Sequence, residues 1–235
     1  ADAAELARIS DTIWAAAEVA LEEYKSAEAL AAYLEKNGFK VERGVAGLPT
    51  AFTAVWGEGG PVIGLLAEYD ALPGLSQKAE GSRAPILAGA PGHGCGHNVF
   101  GTGIAAAAVA VKDVMARHKL KGTLKVFGCP AEETVEGKVF MARAGVFDGL
   151  SCAIYWHPGG DNEVPPGSST ALNQFEVEFF GQTAHAAGDA WNGRSALDAV
   201  ELTDVGLNFL REHLPPTARL HYVITDGGGA PNVVP

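Results

Sequence analysis

The chain has 235 residues, 47% of them hydrophobic, which suits one or two globular domains. Seventeen Lys and Arg set against 28 Asp and Glu leave a net charge of −11, which argues against nucleic acid or an anionic membrane as partner, because phosphate binding needs clustered cations. No apolar run reaches the roughly 20 residues of a membrane span, and no signal peptide is visible in a chain that starts at Ala1. Apolar residues at Leu6, Ile9, Ile13, Ala16, Ala20 and Tyr24 follow helical spacing. Ser26 is placed to cap a second helix with the face Leu30, Tyr33 and Leu34, ended by Gly38. Strand-like runs follow at 39–45, 51–56 and 62–67, and the last is apolar enough to be covered on both faces. It leads into Glu68-Tyr69-Asp70 and a turn, then a loop over 76–92. An alanine-rich helix is expected over 101–118, a buried strand over 125–129, a short helix over 137–144 and a strand over 151–156.

Residues 161–169 are rich in Pro, Gly and Ser and read as a linker. Beyond it Phe175, Val177 and Phe179 alternate with Gln174, Glu176 and Glu178, the pattern of a half-exposed antiparallel strand. A helix over 195–213 and a strand over 219–225 complete what reads as the start of a smaller α+β domain. The expected organisation is therefore an α/β domain with a mostly parallel sheet over 1–168 and the first part of a second domain over 169–235. Cys95, Cys129 and Cys152 form no paired framework and read as thiols of a reduced, cytoplasmic chain, with Cys129 and Cys152 buried in apolar strands.

The chemistry concentrates in Pro91-Gly92-His93-Gly94-Cys95-Gly96-His97-Asn98, where glycines let the backbone bend and side chains converge. Thiolate and imidazole are ligands for zinc and its neighbours, so Cys95 and His97 are candidate metal ligands. A rival reading makes Cys95 a nucleophile activated by His97, but leaves the later glutamates without a role. His93 is a supporting or substrate-side candidate. Glu132 and Glu133 follow a buried strand; in extended backbone they point to opposite sides, so one can ligate while the other takes a proton from bound water. Read without a site, they are two solvated acids at a helix N-terminus. His157 also ends a strand, and Asp70 is placed to orient a ligand from behind. These strand-end positions are where open α/β sheets build their sites, and together they point to a metal-dependent hydrolase. Taken alone, His185 would be a surface histidine and Asn232 a turn residue.

The ordered motifs Ala67-Glu68-Tyr69-Asp70-Ala71-Leu72, Gly92-His93-Gly94-Cys95-Gly96-His97-Asn98, Cys129-Pro130-Ala131-Glu132-Glu133, Trp156-His157-Pro158, Gly193-Arg194-Ser195-Ala196-Leu197 and Pro231-Asn232-Val233-Val234 run the length of the chain. In them the chain resembles the dinuclear-metal aminoacylase/carboxypeptidase family of amidohydrolases, in the branch with indole-acetyl-amino-acid and hippurate hydrolases. The resemblance implies a metallopeptidase-type catalytic domain and a smaller dimerisation (lid) domain. It implies two divalent ions, Zn or Mn, on Cys95, His97, Glu133 and His157, with the cysteine bridging. It implies Glu132 as general base and Asp70 as the acid beside the metals. His185 matches a histidine sent into the partner's site to bond the oxyanion, and Asn232 a substrate-holding segment, also across the dimer. Asn98 and Phe100 stand where the hydrolase branch usually has Asp and His. That departure favours p-aminobenzoyl-glutamate or a similar N-acyl amino acid as substrate, in a homodimer or a heteromer with a related subunit. The alternatives are a general aminoacylase or metallocarboxypeptidase, and a non-catalytic subunit that dimerises. The resemblance also implies that the rest of both domains, with the last metal-binding histidine, lies beyond Pro235.

Overall fold

The computed structural model describes residues 3–134, 136–164, 167 and 171–235. Its first helix, α1 (Ala3–Ala16), stops short of Tyr24 because Ala17 and Leu21 take positive φ of 44° and 66°, which helix cannot continue through. The second, α2 (Tyr24–Lys36), is not capped by Ser26. Glu18, from the preceding turn, accepts from the backbone N–H groups of Lys25 and Ser26 and from the Ser26 hydroxyl at 2.8–3.0 Å, so the cap comes from upstream and Ser26 lies inside the helix.

Five strands form one sheet: β1 (Lys40–Arg43), β2 (Phe52–Glu58), β3 (Val62–Glu68), β4 (Gly122–Cys129) and β5 (Cys152–Ile154), in the order β1-β2-β4-β3-β5. The β1/β2 and β2/β4 pairs are antiparallel, and the β4/β3 and β3/β5 pairs are parallel. The sheet is thus mixed, with its parallel part in the three strands that lead to the site. Two helices make the crossovers: α3 (His97–His118) between β3 and β4, and α4 (Gly137–Arg143) between β4 and β5.

Successive strand residues face opposite sides, and the two sides carry separate cores. On one, Ile13 of α1, Leu30 and Leu34 of α2 and Phe100, Ile104 and Ala108 of α3 pack with Phe52, Leu124 and Val126. On the other, Phe127 and Cys129 pack with Val45 and Met141. Full burial of each large side chain contributes about 1.5–3 kcal/mol. By length and composition α3 could cross a membrane, but its apolar face is this core. Cys129 is buried as expected, whereas Cys152 is exposed, because β5 is an edge strand that among the described residues pairs with β3 alone.

The chain divides into two compact units, 1–162 and 163–235. The expected boundary at 168/169 falls on residues outside those described. In the second unit Ser195 caps α5 (Ala196–Leu210), its hydroxyl accepting from Asp198 N–H at 3.0 Å. A two-stranded ribbon pairs β6 (Ala184–His185) with β7 (Val233–Val234). The expected strands at 174–179 and 219–225 are not formed. Phe175 and Val177 are exposed, and among the described residues no strand pairs with these segments; a strand needs a partner before its alternation can be used.

Candidate metal centre

Parallel β3, β4 and β5 deliver their C-terminal ends to one side of the sheet. Glu68 ends β3 with Asp70 two residues on, Glu132 and Glu133 follow β4, and His157 follows β5. His97 opens α3, and the preceding Gly96 turns the chain into it at φ 80°. Cys95, His97 and His157 offer ligand atoms all within 4.8 Å of one another, and so do Glu68, His97 and Glu132. Cys95 Sγ lies 3.2 Å from His157 Nε2.

His97 is fully buried and its ring is oriented from behind. Nδ1 faces Asp70 Oδ1 at 3.0 Å and the Asp70 carbonyl at 3.1 Å. Both are acceptors, so Nδ1 carries the proton and donates, and the lone pair of the neutral ring is on Nε2. Nε2 faces Glu68 Oε2 at 3.4 Å, Glu132 Oε2 at 3.8 Å and Glu133 Oε1 at 4.0 Å. Neither Nε2 nor Glu133 Oε1 has a hydrogen-bond partner, though both are buried. Two unsatisfied buried atoms aimed at the same space mark a place for a cation.

The charge pattern agrees. Four carboxylates, Glu68, Asp70, Glu132 and Glu133, surround this histidine, and Lys138 of α4 is paired with Glu68. Burial raises Glu68 above the usual carboxylate range, opposed by Lys138. Burial and then the charges of Glu133, Glu132 and Glu68 push the Cys95 thiol up to about 11. Both an attacking and a ligating cysteine work as the thiolate, so in this acidic surrounding Cys95 needs a nearby cation before it can take either role.

Glu132 and Glu133 do not sit in extended backbone as expected; they lie in a turn. The turn still separates them. The Glu133 N–H donates to Asp70 Oδ2 at 2.9 Å and its side chain is 17% exposed, whereas the Glu132 side chain is 39% exposed. Gly137, which opens α4, closes this turn against Pro130, whose carbonyl oxygen would lie 1.8 Å from any Cβ there. His93 turns to α1, its Nε2 3.0 Å from the Ile13 carbonyl, and is not among the clustered ligand atoms of the described residues.

The sequence left Glu68 and Lys138 unassigned. Glu68 carried a signal, an acid two positions from Asp70 at the same strand end; Lys138 carried none, being joined to it only by the fold across 70 residues. Lys138→Met leaves the Glu68 carboxylate buried without its counter-ion. Because Lys138 is partly solvated, the expected destabilisation is about 2 kcal/mol, below the full cost of breaking a buried pair, read as a lower urea midpoint at unchanged slope. An unchanged midpoint would show that water already relieves Glu68.

His185 and Asn232 both lie in the second unit, His185 in β6 and Asn232 in the turn just before β7, whose Val233 is the register partner of His185. The Asn232 carbonyl accepts from Ala186 N–H at 3.0 Å. His185 Nδ1 accepts from the N–H groups of Ala187 and Gly188, both at 3.1 Å, so its neutral ring carries the proton on Nε2, a donor with no hydrogen-bond partner among the described residues.

The model of peptidase family M20/M25/M40 matches residues 64–225. The chain belongs to this family. The M20 chain is 49% identical to one of the component chains of p-aminobenzoyl-glutamate hydrolase of Escherichia coli, over 96% of its own length and 47% of that protein's. It is 35% identical to mouse Xaa-Arg dipeptidase over 98% of its length and 52% of that protein's. Among solved structures it is similar to a dinuclear metal-binding M20 peptidase from Bacillus subtilis, with TM-score 0.54, 29% identity and coverage of 65% of this chain and 43% of that one. The chain spans about half the length of the curated relatives it matches.

Proposed function

We propose that this M20 chain carries the base and part of the metal site of an amidohydrolase that cleaves the amide bond of an N-acyl amino acid, p-aminobenzoyl-glutamate or a similar conjugate. The observation that carries the reading is the pair of buried, unsatisfied atoms His97 Nε2 and Glu133 Oε1, 4.0 Å apart and ringed by acids. Cys95, His97, Glu133 and His157 would hold two divalent ions, zinc or manganese, with Glu68 close enough to join them. Such ions polarise the scissile carbonyl and make bound water acidic. Glu132, the more solvated glutamate, takes the proton from the attacking water and returns it to the leaving amine. Glu133 is anchored through its backbone to Asp70, which suits a fixed ligand.

His185, with its proton on Nε2, suits a donor to the oxyanion of the tetrahedral intermediate, and Asn232 on the neighbouring segment suits a substrate contact, both reaching a partner's site in a dimer. The 49% identity to one component of a hydrolase built from different chains supports a heteromer with a related chain; a homodimer is the other arrangement. Three free cysteines, one at the site, suit the reducing cytoplasm. The mouse relative supports a second substrate class, dipeptides with a basic residue.

The test is hydrolysis by the full-length protein, with zinc or manganese added and with chelator. Chelation is expected to abolish release of glutamate from p-aminobenzoyl-glutamate, and either ion to restore it. Release that ignores chelator but stops on alkylation of Cys95 would make this a thiol hydrolase. Faster cleavage of Xaa-Arg dipeptides would move the substrate to the second class.

A further inference from the structure

Glu23 is a fully buried carboxyl that the proposed chemistry does not use. It sits at the start of α2, and among the described residues no cation pairs with it. Its Oε1 accepts from the backbone N–H of Ala131 at 2.8 Å, and its Oε2 accepts from the Thr50 hydroxyl at 2.8 Å. Thr50 in turn offers its carbonyl to the Tyr69 hydroxyl at 2.6 Å. Ala131 immediately precedes Glu132, and Tyr69 lies between Glu68 and Asp70. One hydrogen-bonded chain therefore runs behind the site from the end of β4 to the end of β3.

The bond to Ala131 is placed where it decides most. Ala131 is fully buried and has φ 55°, a left-handed conformation that a residue with Cβ adopts only when its surroundings impose it. Its carbonyl accepts from Glu136 N–H at 3.2 Å and its N–H goes to Glu23, so both faces of this peptide are fixed. Burying an acid without a counter-ion is costly, and burial raises Glu23 above the usual carboxylate range. The bond joins groups 108 residues apart in sequence, so it ties the turn after β4 directly to the start of α2.

We infer that Glu23 is a positioning residue: by fixing the Ala131 peptide it sets the directions in which Glu132 and Glu133 leave the turn. The inference rests on the roles proposed above for those two glutamates. It predicts a loss in turnover rather than in substrate binding, because Glu23 touches neither substrate nor metal ligands.

The test compares Glu23→Leu and Glu23→Gln in the full-length protein, reading kcat, KM and amide hydrogen exchange at Ala131. In Glu23→Leu, kcat is expected to fall about 30-fold with KM little changed, as for a displaced catalytic group. Exchange at Ala131 should accelerate while Val126 in β4 keeps its protection. Glu23→Gln retains an oxygen for Ala131, and the Thr50 hydroxyl can rotate to accept from the new amide, so kcat should stay near wild type. If Glu23→Leu does not fold, Glu23→Asp, whose shorter side chain withdraws the acceptor from the Ala131 N–H while keeping the acid, takes its place with the same readouts. A folded Glu23→Leu (or Glu23→Asp in its place) with wild-type kcat or unchanged exchange at Ala131, or equal damage from Leu and Gln, would overturn the inference. Should the wild-type protein itself show no turnover, the functional reading fails, and exchange at Ala131 still decides whether Glu23 holds the turn.

Discussion

Glu132→Gln is expected to lower turnover by about 10²–10⁴-fold, the contribution of a positioned general base, while bound metal stays at its wild-type content. The two glutamates are adjacent in sequence but are held differently. Glu133 has its backbone N–H on Asp70 Oδ2 and a buried Oε1, whereas Glu132 is the more exposed and keeps one oxygen 3.8 Å from His97 Nε2. An amide at 132 preserves shape and removes the ability to take a proton. The separation of effects is the informative part: Glu133→Gln removes a charge from the proposed metal cradle and should lower metal content, which Glu132→Gln should not. Isothermal metal titration alongside kcat distinguishes the two. Loss of metal in the Glu132 variant, or full activity without that carboxylate, would exchange the roles or send the proton elsewhere.

What the sequence made legible follows from how local the signals are. The glycine-rich turn, the strand ends and the residue types that follow them are short-range features, and Cys95, His97, Glu132 and His157 do converge. The two parallel crossovers are legible because apolar strand-like runs alternate with helices between residues 62 and 154. The parts that were not legible involve long separations or missing partners. Lys138 meets Glu68, and Glu23 meets Ala131, only once the sheet has formed. The alternation at Phe175, Val177 and Phe179 specifies which faces a strand would have but not that another strand is there to pair with it. Ser26 has the composition of a cap, yet the helix starts two residues before it and Glu18 takes the first-turn N–H groups of Lys25 and Ser26, because two positive-φ residues fold the chain back on itself. At Glu132 and Glu133 the expected divergence of side chains is met by a turn rather than by a pleat, since the left-handed Ala131 ends the strand just before them.

Asp70→Asn should weaken metal affinity by about 100-fold, although it changes one atom and no volume, because residues that orient metal ligands carry effects of about 10–100-fold. Asp70 accepts on both oxygens: Oδ1 from His97 Nδ1–H and Oδ2 from the Glu133 N–H. Asparagine has one acceptor and one donor, and neither orientation serves both bonds. With its oxygen toward His97, the NH₂ meets the Glu133 N–H donor to donor and the turn carrying both glutamates is pushed away. With its NH₂ toward His97, Nδ1 must become the acceptor, the proton moves to Nε2, and the lone pair aimed at the cluster is lost. The Asp70 carbonyl, 3.1 Å from Nδ1, opposes that second arrangement, so the turn is the part expected to give way. Two readouts tell these apart. Nitrogen chemical shifts of the His97 ring report the tautomer directly, and amide exchange at Glu133 reports the turn. Retained Nδ1–H with faster exchange at Glu133 is the expected result. A variant that binds metal as tightly as wild type would show that Asp70 positions neither group, and the site would then have to be oriented by Glu68 and Lys138 alone.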